Sequence, residues 1–294
     1  MKIEIEEISI PLLIEKEVRL FIKRIDKVHP FVSGNKWFKL KYNLIEAQMQ
    51  DLDTLLTFGG AFSNHITATA YAAKEKGFKS IGIIRGEEHL PLNPTLHFAK
   101  ENGMELHYLS RSDYRKKTNP EFLEQLKAKF GSFYLIPEGG TNKLATQGAA
   151  EILEANDTQD YICCAVGTGG TIAGIINAST AKQTVIGFPA IKGIDCIEKD
   201  IKNWTSSTNY KFINTYTGKG YAKVSEKLVE FISEFNTAND IPLDAIYTGK
   251  MMMGVLDLIS KNFFPKGSNI LTIHTGGLQG NKGMAQRLGV KLPS

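Results

Sequence analysis

Cysteine is scarce, and the little present does not suit cross-linking. The 294-residue chain holds 3, two of them adjacent as Cys163 and Cys164. That excludes a disulfide framework, and no CxxC or HxxxH spacing offers a metal site. An excess of either charge is also missing. Lys and Arg number 35 against 31 Asp and Glu, a net +4, and Arg115-Lys116-Lys117 is the one basic triplet. Nothing in that pattern marks a nucleic-acid partner. No uninterrupted apolar run reaches the ~20 residues of a membrane span. Met1-Lys2-Ile3-Glu4-Ile5-Glu6-Glu7 lacks the plan of a signal peptide. Repeats and low-complexity tracts are absent. The expectation is a cytoplasmic protein with no metal, nucleic-acid or membrane partner. What is present, 42% hydrophobic and 22% charged residues, is the make-up of a globular chain with a large core. Its length fits two domains or one large α/β domain.

Short apolar runs alternate with helical patterns. Residues 17–26 partly alternate and read as a strand on an antiparallel edge. A helix should run from Lys36 to about Gln50. Thr54-Leu55-Leu56-Thr57-Phe58 is an apolar strand. Through Gly59-Gly60-Ala61-Phe62-Ser63-Asn64 it hands over to an alanine-rich helix from about His65 to Lys76, stopped by Gly77. Strands are predicted at 80–84, 104–109 and 133–137, separated by helices opened at Asn93-Pro94 and Pro120 and closed at Gly103 and Gly131. A helix over about 144–154 leads to the strand Tyr161–Val166, a glycine loop and a helix through Ile172, Ile175 and Ile176. Further strands are predicted near 184–188, 211–216, 245–247 and 269–274, and residues 193–242 are the hardest to assign. Strands spaced by helices predict α/β architecture, with mostly parallel sheets covered on both faces. The repeated pattern suggests two such units meeting at a cleft.

The residues able to do chemistry sit where strands end, which is where open α/β sheets bind ligands. Lys36, after Ser33-Gly34-Asn35, stands where loop becomes helix. Pointed into a cleft and desolvated, its amine loses the proton and becomes a nucleophile; the plainer alternative is a solvated lysine. Gly167-Thr168-Gly169-Gly170-Thr171 follows an apolar strand and opens a helix, so backbone N–H groups and the helix dipole converge on one point. That suits a phosphate monoester, with Thr168 and Thr171 adding hydroxyls. The alternative is a tight turn for helix–strand packing. The dinucleotide fingerprint fails because Ile172 stands at the third glycine, and no Walker A pattern occurs. In Gly59–His65, Ser63 or Asn64 caps the next helix, and spare amides could hold a carboxylate. Thr275 of His274-Thr275-Gly276-Gly277 offers a neutral hydroxyl. Tyr221 and Tyr247 flank glycine turns and become catalytic candidates only if they face the cleft.

A nucleophilic lysine, a phosphate cup, a carboxylate cup and a neutral hydroxyl together suit pyridoxal phosphate. The blocks Ser33-Gly34-Asn35-Lys36 with Lys39-Leu40, Gly59–His65, Gly167–Thr171, Ile246-Tyr247-Thr248-Gly249-Lys250 with Gly254, and Ile273-His274-Thr275-Gly276-Gly277 carry a resemblance over most of the chain. The sequence resembles the 1-aminocyclopropane-1-carboxylate deaminase / D-cysteine desulfhydrase family, pyridoxal-phosphate enzymes of the tryptophan-synthase-β fold type. The resemblance implies that Lys36 binds the cofactor covalently and later carries protons at the substrate α-carbon. Ser63 would bind the substrate carboxylate or donate a proton near it, with Asn64 and His65 beside it. Asn64 would hydrogen-bond the ring hydroxyl, Gly167 to Thr171 would hold the phosphate, and Thr275 would face the ring nitrogen. Tyr247 would stack near the ring and contact substrate, and Tyr221 matches the second active-site tyrosine. A homodimer is implied as well. So is a small domain over 43–144, inserted between 1–42 and 145–294 of a larger cofactor-binding one.

This chain departs from the family's deaminases at three places. It has Trp37-Phe38 where they carry Thr-Arg, and Gly218-Lys219-Gly220 where Gly-Pro precedes Gly-Tyr. It has Thr248 where they carry a Glu after the tyrosine. A carboxylate beside the ring nitrogen strengthens the electron sink, and a hydroxyl does not. The expected activity is therefore α,β-elimination on a small amino acid such as D-cysteine, giving pyruvate and ammonia. Cyclopropane ring opening is the alternative within the class. A non-catalytic phosphate- or nucleotide-binding protein, with a structural Lys36, is the alternative outside it.

Overall fold

The computed structural model describes residues 2–190, 194–217 and 224–293. Its strands are β1 (Ile5–Ile8), β2 (Arg19–Lys23), β3 (Thr54–Gly60), β4 (Lys79–Arg85), β5 (Met104–Leu109), β6 (Tyr134–Ile136), β7 (Tyr161–Val166), β8 (Thr184–Pro189), β9 (Tyr210–Phe212) and β10 (Asn269–Ile273). They form two sheets, one ordered β1-β2-β10-β7-β8-β9 and one ordered β5-β4-β3-β6. All pairings are parallel except β1 with β2.

Both sheets are covered on two faces, and the alternation of side chains shows why. On β7, Cys163 and Ala165 join one apolar core with Leu20, Ile22 and Met251. Ile162, Cys164 and Val166 join the opposite core with Ile172, Ile175 and Ile176. The smaller sheet repeats the plan: Leu55 packs with Ala68 and Ala72, and Leu56 and Phe58 with Tyr114 and Leu126. A strand apolar on every residue is what a parallel, doubly covered sheet demands.

Three expectations are corrected. The strand expected near 211–216 is the short β9 alone, and Asn214–Tyr216 is a turn of 3-10 helix. Residues 17–26 do not form the edge. β2 lies second, antiparallel to β1 on one side and parallel to β10 on the other. β1 is the edge; it is 4 residues long and reads Ile-Glu-Glu-Ile, too short and charged to announce itself. Residues 245–247 are a turn rather than a strand. The Asp244 carboxylate takes the N–H groups of Ile246, Tyr247 and Thr248 at 2.7–2.9 Å, so those amides cannot serve a ladder.

The helix Asn35–Met49 joins the two halves. Phe38, near its start, lies in a core of the larger sheet, whereas Leu40 and Ala47 lie in a core of the smaller. Its entry is fixed by Gly34, at φ +65°, where an added β-carbon would fall 2.1 Å from the Thr275 carbonyl oxygen. Only glycine permits both that angle and that approach. Lys36 is thereby mounted against the end of β10.

Candidate active site

The loops after β3, β7 and β10 and the start of the helix Asn35–Met49 converge on one cleft. Its walls include Lys36, Ser63, Asn64, His65, Gly167, Thr168, Gly169, Thr171, Tyr247 and Thr275, with Asn35, Lys39 and Gly139 beside them. The cleft is narrow in this structure, with a cavity volume of about 70 Å³. Tyr221 lies outside the described residues.

Lys36 reaches the cleft from the first turn of its helix, and its Nζ donates to Asn35 Oδ1 at 3.0 Å. Burial lowers its pKa to about 8, against the opposing pull of the Asp244 carboxylate. Asn35 Nδ2 in turn donates to Thr171 Oγ1 at 2.7 Å, so one carboxamide spans lysine and glycine loop. Lys39 sits one turn further along, on the same face. It is 1% exposed, and its Nζ donates to Gly139 O at 2.6 Å and Thr141 Oγ1 at 2.7 Å. Burial, and then repulsion from Lys36, push its pKa well down.

The glycine loop ends at Gly169, φ +86°, which precedes the helix Gly170–Ala178. The first amides of a helix have no partner within it, and Gly167, Thr168, Gly169 and Thr171 line the cleft. A β-carbon on Gly170 would fall 2.8 Å from Thr141 Cγ2 and 3.2 Å from Lys39 Nζ. Thr168 Oγ1 and Thr141 Oγ1 share a hydrogen bond. Helix-start amides, hydroxyls and a buried lysine amine in one concavity are a donor set for a phosphate.

On the opposite wall Ser63 caps the helix Asn64–Lys76, its Oγ accepting from Ile66 N at 3.4 Å. Asn64 Oδ1 is buried without a hydrogen-bond partner, an unmet polar atom at the cleft wall of the kind a ligand resolves. His65 is 1% exposed. Thr57 Oγ1 gives its proton to Ile136 O and so receives one from His65 Nε2 at 2.7 Å, which assigns the neutral tautomer with hydrogen on Nε2. Burial and the neighbouring Lys36 and Lys39 push this imidazole well below its ordinary pKa. The Tyr247 ring stands over Gly167, whose added β-carbon would meet Cε1 at 3.2 Å. Thr248 is fully buried, and its hydroxyl donates to Asp244 Oδ1 at 2.7 Å. Its donor is spent inside the turn, so the hydroxyl among the cleft walls at that end is that of Thr275.

Asn35, Lys39, Gly139, Thr141 and Asp244 are additions to the residues picked from sequence. Lys39 carried a usable signal, since position i+3 shares the helix face of Lys36. Gly139 and Thr141 arrive from beyond β6 and had none.

The sequence profile of the family described as pyridoxal-phosphate dependent enzyme matches residues 8–276. The chain is 32% identical over 287 residues to a Pyrococcus abyssi protein provisionally named 1-aminocyclopropane-1-carboxylate deaminase, covering 90% of this chain and 86% of that one. It is 32% identical over 293 residues to the mitochondrial bifunctional D-cysteine desulfhydrase/1-aminocyclopropane-1-carboxylate deaminase of Arabidopsis thaliana, covering 89% and 73%. A crystal structure described as an ACC deaminase homologue superposes with a TM-score of 0.86 at 27% identity, covering 98% of this chain and 93% of that one. A hydrogen sulfide-producing enzyme from Fusobacterium nucleatum shares the fold, with a TM-score of 0.68 at 16% identity over 94% and 96% of the chains.

Proposed function

The chain belongs to the pyridoxal-phosphate-dependent enzyme family, and from that premise we propose that it catalyses α,β-elimination on a small β-substituted amino acid. D-cysteine is the first candidate, with sulfide, pyruvate and ammonia as products. The observation that carries this reading is the meeting of a desolvated lysine, a glycine cup and a serine-capped helix start in one cleft.

Pyridoxal phosphate, when bound, supplies a conjugated ring that takes up the electron pair left at the substrate α-carbon. The amides at the start of the helix Gly170–Ala178, Thr168, Thr171 and Lys39 would hold its phosphate. Asn64, with its unmet Oδ1, would face the ring hydroxyl, its amide reoriented to donate. Lys36 Nζ would anchor the aldehyde carbon. Burial, which lowers its pKa to about 8 in the cofactor-free protein, favours the neutral amine that would accept the α-proton once the substrate has displaced it. Ser63 Oγ and the amides behind it would receive the substrate carboxylate, with Tyr247 closing the opposite side. Tyr221 keeps its role as second tyrosine on the resemblance alone. The small domain would span about 43–144, its first boundary inside the helix that carries Lys36. A homodimer in the cytoplasm completes the reading, with light scattering as the check on its size.

Cyclopropane ring opening is the second reading. It expels a carbon and so asks more of acid catalysis and of the electron sink than loss of a thiolate does. Thr275 offers that end a neutral hydroxyl, and the oxygens of Asp244 are engaged by four donors. Pyruvate release from D-cysteine and from the cyclopropane acid at matched concentration tests the order. Fast release from D-cysteine with slow or no ring opening is expected; efficient ring opening without sulfide from D-cysteine would reverse it.

A further inference from the structure

Asp244 differs from the other buried carboxylates of the described residues. Asp26 pairs with Arg24 at 2.8 Å and Asp157 with Lys23 at 2.5 Å. Asp244 is 2% exposed, and among the described residues no Lys, Arg or His is in ion-pair contact with it. A buried charge without a counter-ion persists only where hydrogen bonds replace water. Four do so here. Oδ2 accepts from Ile246 N at 2.8 Å and Tyr247 N at 2.9 Å, and Oδ1 from Thr248 N and Thr248 Oγ1, both at 2.7 Å. The positive end of the helix Thr248–Ser260 adds to them.

Its place in the fold is behind the cleft wall. A β-carbon on Gly277 would fall 2.9 Å from Asp244 Cγ and 2.9 Å from Asn64 Nδ2, so the carboxylate and a cleft-wall carboxamide flank one glycine. Lys250, on its own helix, also feels the Asp244 charge but donates to Ala190 O at 3.1 Å and Thr217 O at 3.3 Å. The other titratable groups that act on or feel Lys36 are Lys39, His65 and Cys164. Burial works against charge on the first two and pushes the Cys164 thiol up to about 12, so none of them offers Lys36 a negative charge.

We propose that Asp244 is a positioning residue with two linked tasks: it folds 244–248 so that Tyr247 stands over Gly167, and it supplies the fixed negative charge against which the Lys36 amine exchanges its proton. The two tasks separate by substitution. Asp244→Asn removes the charge and turns an N–H-bearing group toward N–H donors. Asp244→Glu keeps the charge, and Thr248→Val removes one of the four donors while leaving the carboxylate. The inference concerns the site of the proposed function and rests on that reading only for what the Lys36 proton is used for.

The test is the pH midpoint of Lys36 in the full chain freed of cofactor, read by trace amine labelling and peptide mass analysis, with thermal melts alongside. Asp244→Asn should lower the midpoint, leaving several-fold more neutral Lys36 amine at pH 7. Asp244→Glu should restore most of the parental value, and Thr248→Val should leave it in place. An Asp244→Asn midpoint equal to the parent's, in a protein that melts as a folded chain, overturns the proposal. If that variant does not fold, the unaltered chain decides. With ¹³C-labelled aspartate, the Asp244 carboxyl resonance should move as Lys36 titrates and stop moving in Lys36→Met, because coupling is reciprocal. A resonance indifferent to Lys36 overturns the proposal equally. Neither readout needs cofactor or turnover, so failure of the elimination chemistry would leave this result standing and the reverse holds too.

Discussion

Raising the pH through about 8 should free the Lys36 amine well before the solvated lysines lose their protons. The perturbation is pH alone, applied to the chain without cofactor. Desolvation takes Lys36 from 10.5 to about 8, with Asp244 pulling the other way. At pH 7 this leaves about 9% of Lys36 neutral, against roughly 0.03% of an ordinary lysine, a ~300-fold gain in reactive amine. The sign for stability follows from the same numbers. The folded pKa lies below the unfolded one, so between about 8 and 10.5 the unfolded chain binds the extra proton. Stability from this group therefore rises with pH across that window, by up to about 3 kcal/mol, and changes little below it. Competitive labelling of all lysines over a pH series, followed by peptide mass analysis, reads the midpoint site by site. A Lys36 midpoint near 10.5 would mean that it is solvated, and the case for a burial-activated nucleophile would fall.

Three substitutions probe the rest of the site. Lys39→Met removes the buried amine from the glycine cup and should weaken cofactor binding ~10–100-fold, the loss of a hydrogen bond to a charged phosphate of about 1.5–3 kcal/mol; unchanged affinity in equilibrium dialysis would place the phosphate elsewhere. Gly170→Val puts branched carbon where Thr141 Cγ2 and Lys39 Nζ lie 2.8 and 3.2 Å from even a β-carbon, and should cost cofactor affinity more than it costs the melting temperature. Gly34→Ala meets both φ +65° and the Thr275 carbonyl oxygen at 2.1 Å, and should lower stability by about 3 kcal/mol or more in urea unfolding; near-parental stability would contradict the described join of Gly34 to the end of β10.

The order of strands and helices was legible because parallel sheets buried on both faces leave unbroken apolar runs such as Thr54–Phe58 and Tyr161–Val166. The glycine loops were legible for the related reason that they end those strands. What failed did so where a side chain overrode the backbone pattern. Ala245-Ile246-Tyr247 looks like strand, yet Asn281 and Asp244 consume its amides. β1 was invisible because 4 residues with two glutamates carry no strand period. Within the site, residues adjacent to a motif were within reach of sequence reasoning, as Lys39 shows. Thr141 and Gly139 meet Lys39 only because β6 packs beside β3, a pairing that no local pattern announces.

The central claim is that Lys36 carries the cofactor in this cleft. Borohydride reduction of the protein loaded with pyridoxal phosphate, followed by proteolysis and mass mapping, tests it most directly. The account predicts a single pyridoxyl group on the peptide containing Lys36, together with loss of the visible absorption band in Lys36→Ala. A pyridoxyl group on Lys39, Lys41 or Lys250, or no modified lysine despite a bound cofactor, would contradict it.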